Sequence, residues 1–203
     1  MEAGTLRAER RLDSEKAKRI VEAMRRSVGR RGAAASTFDN VAQEAGVSRG
    51  LLHYYFGTKE RLLVEVVRHD TEVRLRALED ALARADSVDS IVETLVVKLK
   101  EFVSEDPASH ALIHELFSVS RRNEEVRGEL AELYRKVRDQ VADVLREKER
   151  DGVVRLRGDA ESVASLLLAL GDGLELQLVS DPEWDSAATF RAGVETARFL
   201  LGG

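Results

Sequence analysis

Between Gly46 and Leu63 the chain crowds hydrogen-bonding side chains onto one short predicted helix and its flanks: Ser48, Arg49, Gly50, His53, Tyr54, Tyr55 and Lys59. Arg49 is a planar cation whose fork of donors can bind a guanine edge bidentately. His53 and Tyr54 can touch thymine methyls or the sugar–phosphate backbone, and Tyr55 can donate to a phosphate oxygen. Ser48 and Gly50 fall at the predicted helix start, where unpaired backbone N–H groups and the positive end of the helix dipole favour an anion. Arg49 and Lys59 are cations in first turns, which the dipole disfavours by roughly a few tenths of a kcal/mol. A nearby phosphate reverses that sign. Lys59 has Glu60 beside it, so a tolerated surface lysine also fits there. What these residue types share is recognition of phosphate and base edges.

Bond-making chemistry finds little support. The chain has no cysteine, which removes disulfides, thiolate catalysis and Cys-based zinc sites. A carboxylate-bridged metal bundle wants Glu-x-x-His pairs on two helices, and no Glu-x-x-His occurs. No nucleophile motif or Gly-rich phosphate loop is present either. His110 and His114 have the i, i+4 spacing of a metal pair, but Glu115 is the only adjacent acid. A polar pocket wall or a surface pair is the expectation for them, with no metal and no cofactor. A protein-binding helical adaptor would leave Arg49, His53, Tyr54, Tyr55 and Lys59 without a shared purpose.

The elements that must position these residues are helices. The 203 residues include only two prolines, with 43% hydrophobic and 34% charged residues, a composition of ordered, charge-rich, all-α protein. Residues 1–13 read as a polar arm whose Arg7, Arg10 and Arg11 can follow a minor groove or stay unengaged. A first helix is expected from about Ser14 to Gly29 on the inner face Ile20, Val21, Met24 and Val28, with Arg25, Arg26, Arg30 and Arg31 as a solvated face. A second covers Phe38–Ala45, capped by Ser36 or Thr37, with Phe38, Val41, Ala42 and Ala45 buried. Gly46 can adopt the left-handed conformation that closes it, and Ser48 caps the short aromatic helix, in which Leu52 and Phe56 point inward. Helix, tight turn and helix make a helix-turn-helix. A long fourth helix runs from Thr58 to about Arg84.

Five further helices follow, about nine in all: Ser87–Ser104; one opened by Asp106-Pro107 and ending near Ser118; one from Asn123 to Asp151-Gly152; Asp159–Val179; and a last one opened by Asp181-Pro182, about 183–201. The helix at 159–179 is apolar on nearly all sides and so needs cover on two. One side can face its own subunit and the other a partner; paired with the last helix it makes a four-helix bundle across a two-fold axis. A homodimer is therefore expected through about 159–179 and 183–201. Residues 1–60 hold 12 Lys/Arg against 8 Asp/Glu, and the remainder holds 20 against 29, a basic head on an acidic body. No secretory signal and no uninterrupted apolar run of membrane-spanning length is read, so the expected address is the cytoplasm, with no membrane.

The run Thr37-Phe38-Asp39-Asn40-Val41-Ala42-Gln43-Glu44-Ala45-Gly46-Val47-Ser48-Arg49-Gly50-Leu51-Leu52-His53-Tyr54-Tyr55-Phe56-Gly57-Thr58-Lys59-Glu60-Arg61-Leu62 closely resembles the signature of tetracycline-repressor family regulators. It departs at His53, where that family usually has Tyr, and at Tyr55, where it often has His. The resemblance implies a division at 1–62 for DNA binding and 63–203 for effector binding and dimerisation. It also implies a homodimeric, ligand-responsive repressor reading a palindromic operator on double-stranded DNA, with Thr37 contacting backbone phosphate. The effector is an unknown small molecule. Candidate pocket residues are Phe102, His110, His114, Phe117, Asp172 and Gln177, with Leu112, Leu116 and Trp184 also in range; plain core fits any one of the apolar ones, and salt bridging in a dimer seam fits Asp172.

Overall fold

The computed structural model describes residues 14–105 and 107–203. The N-terminal arm and the Asp106 cap read from sequence lie outside the described residues. Among those described, the chain is helical throughout: α1 Glu15–Ala35, α2 Phe38–Ala45, α3 Arg49–Tyr55, α4 Lys59–Ala83, α5 Val88–Glu105, α6 Pro107–Ser120, α7 Glu124–Arg150, α8 Ala160–Ser180 and α9 Ala187–Leu201. They gather into two compact units, one formed by residues up to Thr71 with Pro107–Ala131, the other by Glu72–Asp106 with Glu132–Gly203. These packing units divide the chain differently from the functional boundary expected at 62/63.

In the first unit α1 packs on α2 and α6. The approach to α6 is tight, because a Cβ on Gly29 would meet the Ala108 Cβ at 3.2 Å. Ile20, Met24, Val28, Val41, Leu52, Phe56, Leu62, Leu63, Leu112 and Leu116 are buried. Three helices are also tied by charge: buried Asp70 on α4 accepts from Arg25 Nε of α1 at 3.0 Å and from Ser109 Oγ of α6 at 2.8 Å. The second unit has its own core of Leu75, Leu82, Ile91, Val92, Val141, Leu145, Val163 and Leu201. There buried Lys148 donates to the carbonyls of Ala83 and Ala85 at 3.0 and 2.7 Å, satisfying acceptors at the end of α4.

Three expectations need correction. α1 does not stop at Gly29 but runs to Ala35, interrupted at Gly32 (φ 77°), because buried Ser36 closes it by donating to the Gly32 carbonyl at 2.9 Å and accepting from Ser27. Its arginines are not simply a solvated face: Arg26 and Arg30 both bind the nearly buried Glu44 of α2, and Arg25 takes Asp70. The last helix begins at Ala187 rather than near 183, since Pro182 enters a turn closed by Trp184 N–H on the Asp181 carbonyl at 3.1 Å. α8 has the length and composition to cross a membrane, with 17% of its apolar window buried, but Asp172 and Glu175 interrupt its apolar residues, so no uninterrupted apolar run of that length occurs in it.

Candidate nucleic-acid interface

The α2–turn–α3 hairpin is built by local chemistry. Thr37 caps α2, its side chain accepting from Asn40 N–H at 3.3 Å. Gly46 sits at φ 64°, and the N–H groups of Gly46 and Val47 reach back to the carbonyls of Gln43 and Ala42 at 3.2 and 3.0 Å, the paired bonds of a Schellman turn. Arg19 of α1 adds a bond to the Ala45 carbonyl at 2.6 Å. The end of α2 is thus held from two sides. Ser48 begins α3 without a side-chain cap bond, and Gly57 (φ 75°) turns the chain into the Thr58 cap of α4, which accepts from Arg61 N–H at 3.2 Å.

α3 buries Leu52, with Phe56 just beyond its end, as their spacing requires, and turns the polar set outward. Thr37, Ser48, Arg49, Gly50, His53 and Tyr54 are exposed, while Tyr55 and Lys59 are half-buried. Tyr54 is 57% exposed, an unusual state for so large a ring in a folded domain. Its ring lies edge-on to Tyr55 at 5.2 Å. His53 is oriented by two contacts: an edge-on ring of Phe38 at 4.9 Å, and a bond from Nδ1 to the Gly57 carbonyl at 3.1 Å. A carbonyl only accepts, so Nδ1 carries the proton in this contact and Nε2 is left facing away from it.

Two residues have company that sequence did not reveal. Lys59 Nζ donates to the Ala33 and Ala34 carbonyls at 2.5 and 3.3 Å, so it neutralises the negative end of α1 and joins it to the start of α4. One of its three donors remains for a phosphate. Arg49 Nη1 donates to both carboxylate oxygens of Asp39 at 3.3 and 3.1 Å. The only signal for that pair was an acid in the first turn of α2, ten positions before the arginine in the first turn of α3.

The expected pocket residues fall in different units. His110, His114 and Phe117 lie on α6 in the first, with His110 buried and Phe117 43% exposed. Phe102, Asp172 and Gln177 lie in the second. Arg74 stacks on the Phe102 ring at 4.6 Å, and Gln177 bonds the Gly173 carbonyl of its own helix. Asp172 accepts from the Tyr134 hydroxyl at 3.1 Å, near buried Glu175. Desolvation pushes the Tyr134 hydroxyl up, reinforced by the negative charge of Asp172. Desolvation also raises the Asp172 carboxyl above its ordinary range, against the Tyr134 hydrogen bond and with the charge of Glu175. Tyr134 is the member of this cluster that the sequence does not reveal; a lone tyrosine on α7 gives no sign of meeting α8. No cluster of three or more metal-ligating side chains occurs among the described residues.

A capped helix, a glycine-closed turn and a short helix with outward Arg, His and Tyr define a helix-turn-helix DNA-binding protein. Residues 20–66 match the bacterial regulatory proteins of the tetR family, and residues 88–198 match the C-terminal region of BetI-type transcriptional repressors. The HTH-type transcriptional regulator BetI of Rhizobium meliloti (strain 1021) is 30% identical over 163 residues, covering 79% of this chain and 76% of that protein. A transcriptional regulator from Rhodococcus sp. RHA1 shares the fold with a TM-score of 0.75 at 19% identity, covering 92% of this chain and 95% of that one. A regulator from Saccharomonospora viridis, solved in complex with choline, has a TM-score of 0.69 at 23% identity and covers 88% and 93%. The chain belongs to the tetR family of bacterial transcriptional regulators, with a BetI-type C-terminal region.

Proposed function

We propose that this regulator is a homodimeric repressor whose two α3 helices read the half-sites of a palindromic operator and whose second unit binds a small-molecule effector that releases it. The observation that carries the DNA side is the outward, oriented set on α3 over a buried Leu52 and Phe56. Tyr54, His53 and Arg49 make the base and groove contacts, while Thr37, Ser48, Gly50, Tyr55 and Lys59 serve the phosphates. Members of this family bind operator DNA and small-molecule effectors, typically as dimers.

The dimer reading rests on α8 and α9, where Leu166, Leu176, Val179 and Phe199 are 52%, 51%, 39% and 60% exposed. A Cβ on Gly171 or Gly173 would meet nothing within 4 Å, so a second backbone has room to approach. That face is supported as a protein-covered one by the family membership, which gives an apolar helix a use other than spanning lipid.

The effector reading rests on Tyr134, Asp172 and Glu175. A cation beside Asp172 favours the ionised carboxylate against its desolvation, and a fold relative was solved with choline, a small organic cation. No catalytic step is assigned on this reading, and the site of action is the cytoplasm.

Operator selection from a random duplex pool, followed by titration at a stated salt concentration, tests the DNA side. Choline raising the melting temperature, and weakening the selected complex, tests the effector side. No selected duplex, or one bound by a single protomer, would defeat the first. No change on adding choline would remove the choline class alone.

A further inference from the structure

We propose that Asp39 is a positioning residue that sets base preference: its carboxylate holds the Arg49 guanidinium for a guanine edge in each half-site. The proposal rests on the helix-turn-helix reading and carries it to a residue that makes no base contact of its own. Asp39 lies in the first turn of α2 and Arg49 opens α3. Both side chains are well exposed, at 67% and 59%. An ion pair so open to water adds little to folding stability, and the hairpin is already closed by Gly46, Phe38, Val41 and Leu52. The contact therefore answers no evident need of the fold.

Its geometry suits recognition. Among the described residues, every hydrogen bond of this guanidinium leaves from Nη1, shared between the two Asp39 oxygens. Among those residues the Nε–Nη2 edge is not used. That edge is a two-pronged donor matching guanine O6 and N7. Fixing one end of a long, flexible side chain removes rotamers that binding would otherwise have to freeze. The same carboxylate, being negative, opposes any register in which a phosphate takes the place of guanine. Holding and repelling both raise selected DNA over other DNA.

The experiment compares wild type, Asp39→Ala, Arg49→Ala and the double variant. Each is titrated at one salt concentration against the duplex that wild type selects from a random pool and against a shuffled duplex of the same composition, and each is melted. The expected result is an Asp39→Ala protein that melts with wild type, binds the shuffled duplex more tightly, and loses about tenfold of the selected-to-shuffled ratio. With Arg49 already Ala, removing Asp39 should change that ratio less than about twofold. An unchanged ratio in Asp39→Ala overturns the proposal, as does an equal loss in the Arg49→Ala background, since the carboxylate would then act without the arginine. A large fall in melting temperature on Asp39→Ala also overturns it, making the contact structural. If wild type selects no duplex, the DNA-binding reading itself falls; selection intact with the ratio unmoved removes only the role of Asp39.

Discussion

α3 and α8 both expose more large side chains than packing requires, and the two kinds of exposure differ in chemistry. On α3 the outward residues end in donors or acceptors, and several are already held: His53 by Gly57 and Phe38, Arg49 by Asp39, Tyr55 by an edge-on contact with Tyr54. On α8 and α9 the large apolar side chains Leu166, Leu176, Val179 and Phe199 stand outward, with no polar atoms of their own to offer. A pre-oriented polar surface suits a ligand of fixed geometry, such as a DNA groove. An apolar one of this kind suits a protein surface that excludes water. Exposure alone says little; which atoms are exposed, and whether they are already oriented, separates a nucleic-acid face from a subunit face.

The strongest way to break this contrast is to make the α8 face polar. Leu166→Glu with Leu176→Glu should convert the protein to monomers in sedimentation analysis and weaken selected-duplex binding by roughly 100-fold or more, because the second half-site contact loses its effective concentration. A dimer that survives both charges would assign the apolar face elsewhere. Next in size, Tyr54→Ala should cost about 1–3 kcal/mol of operator affinity, by analogy with a good base-edge contact, while leaving sedimentation and melting unchanged. The pair of variants sharpens the comparison: one face affects DNA only through assembly, the other without it.

Much of the first face was legible in sequence because its signals are local. Thr37, Gly46, Gly57 and Thr58 each impose a backbone geometry within a few residues, so α2 and α3 begin and end close to where the sequence predicts, although Ser48 makes no cap bond. Leu52 and Phe56 followed from helical spacing alone. What stayed hidden depends on partners far along the chain. Glu44 gathers Arg26 and Arg30, Ser27 meets Ser36 across the Gly32 break, Lys59 caps α1, and Tyr134 finds Asp172 38 positions away. Pro182 misled because a proline suits a turn as readily as a first helical position, and here it took the turn. The effector residues were the least legible: a ligand site is defined by juxtaposition across helices, which single-helix periodicity does not encode.

Smaller effects test how each face is supported. Gly46→Ala forces a side chain into a left-handed backbone (φ 64°) with Arg19 Nη2 at 3.4 Å, and should destabilise by about 1 kcal/mol in thermal melting while weakening DNA binding through α3. The Asp172 carboxyl gives the smallest effect and a pH signature. Its folded pKa is raised, so the stability it removes is absent below the ordinary Asp value and develops as pH rises from there through the folded value. Asp172→Asn, which keeps an oxygen for the Tyr134 hydroxyl, should therefore melt slightly higher than wild type near pH 7. That advantage should vanish on acidification below about pH 3.9; a gain independent of pH would rule out the carboxyl's ionisation as its cause.

The central claim is that α3 enters duplex DNA twice in one complex. The most direct measurement is the mass and affinity of the complex between this protein and its selected palindrome, for wild type and Tyr54→Ala, across a salt series. The account predicts two protomers per duplex for wild type, affinity falling steeply with salt as phosphate contacts release counterions, and a large loss for Tyr54→Ala with dimer mass intact. One protomer per duplex, or equal affinity for the two proteins at every salt concentration, would contradict it.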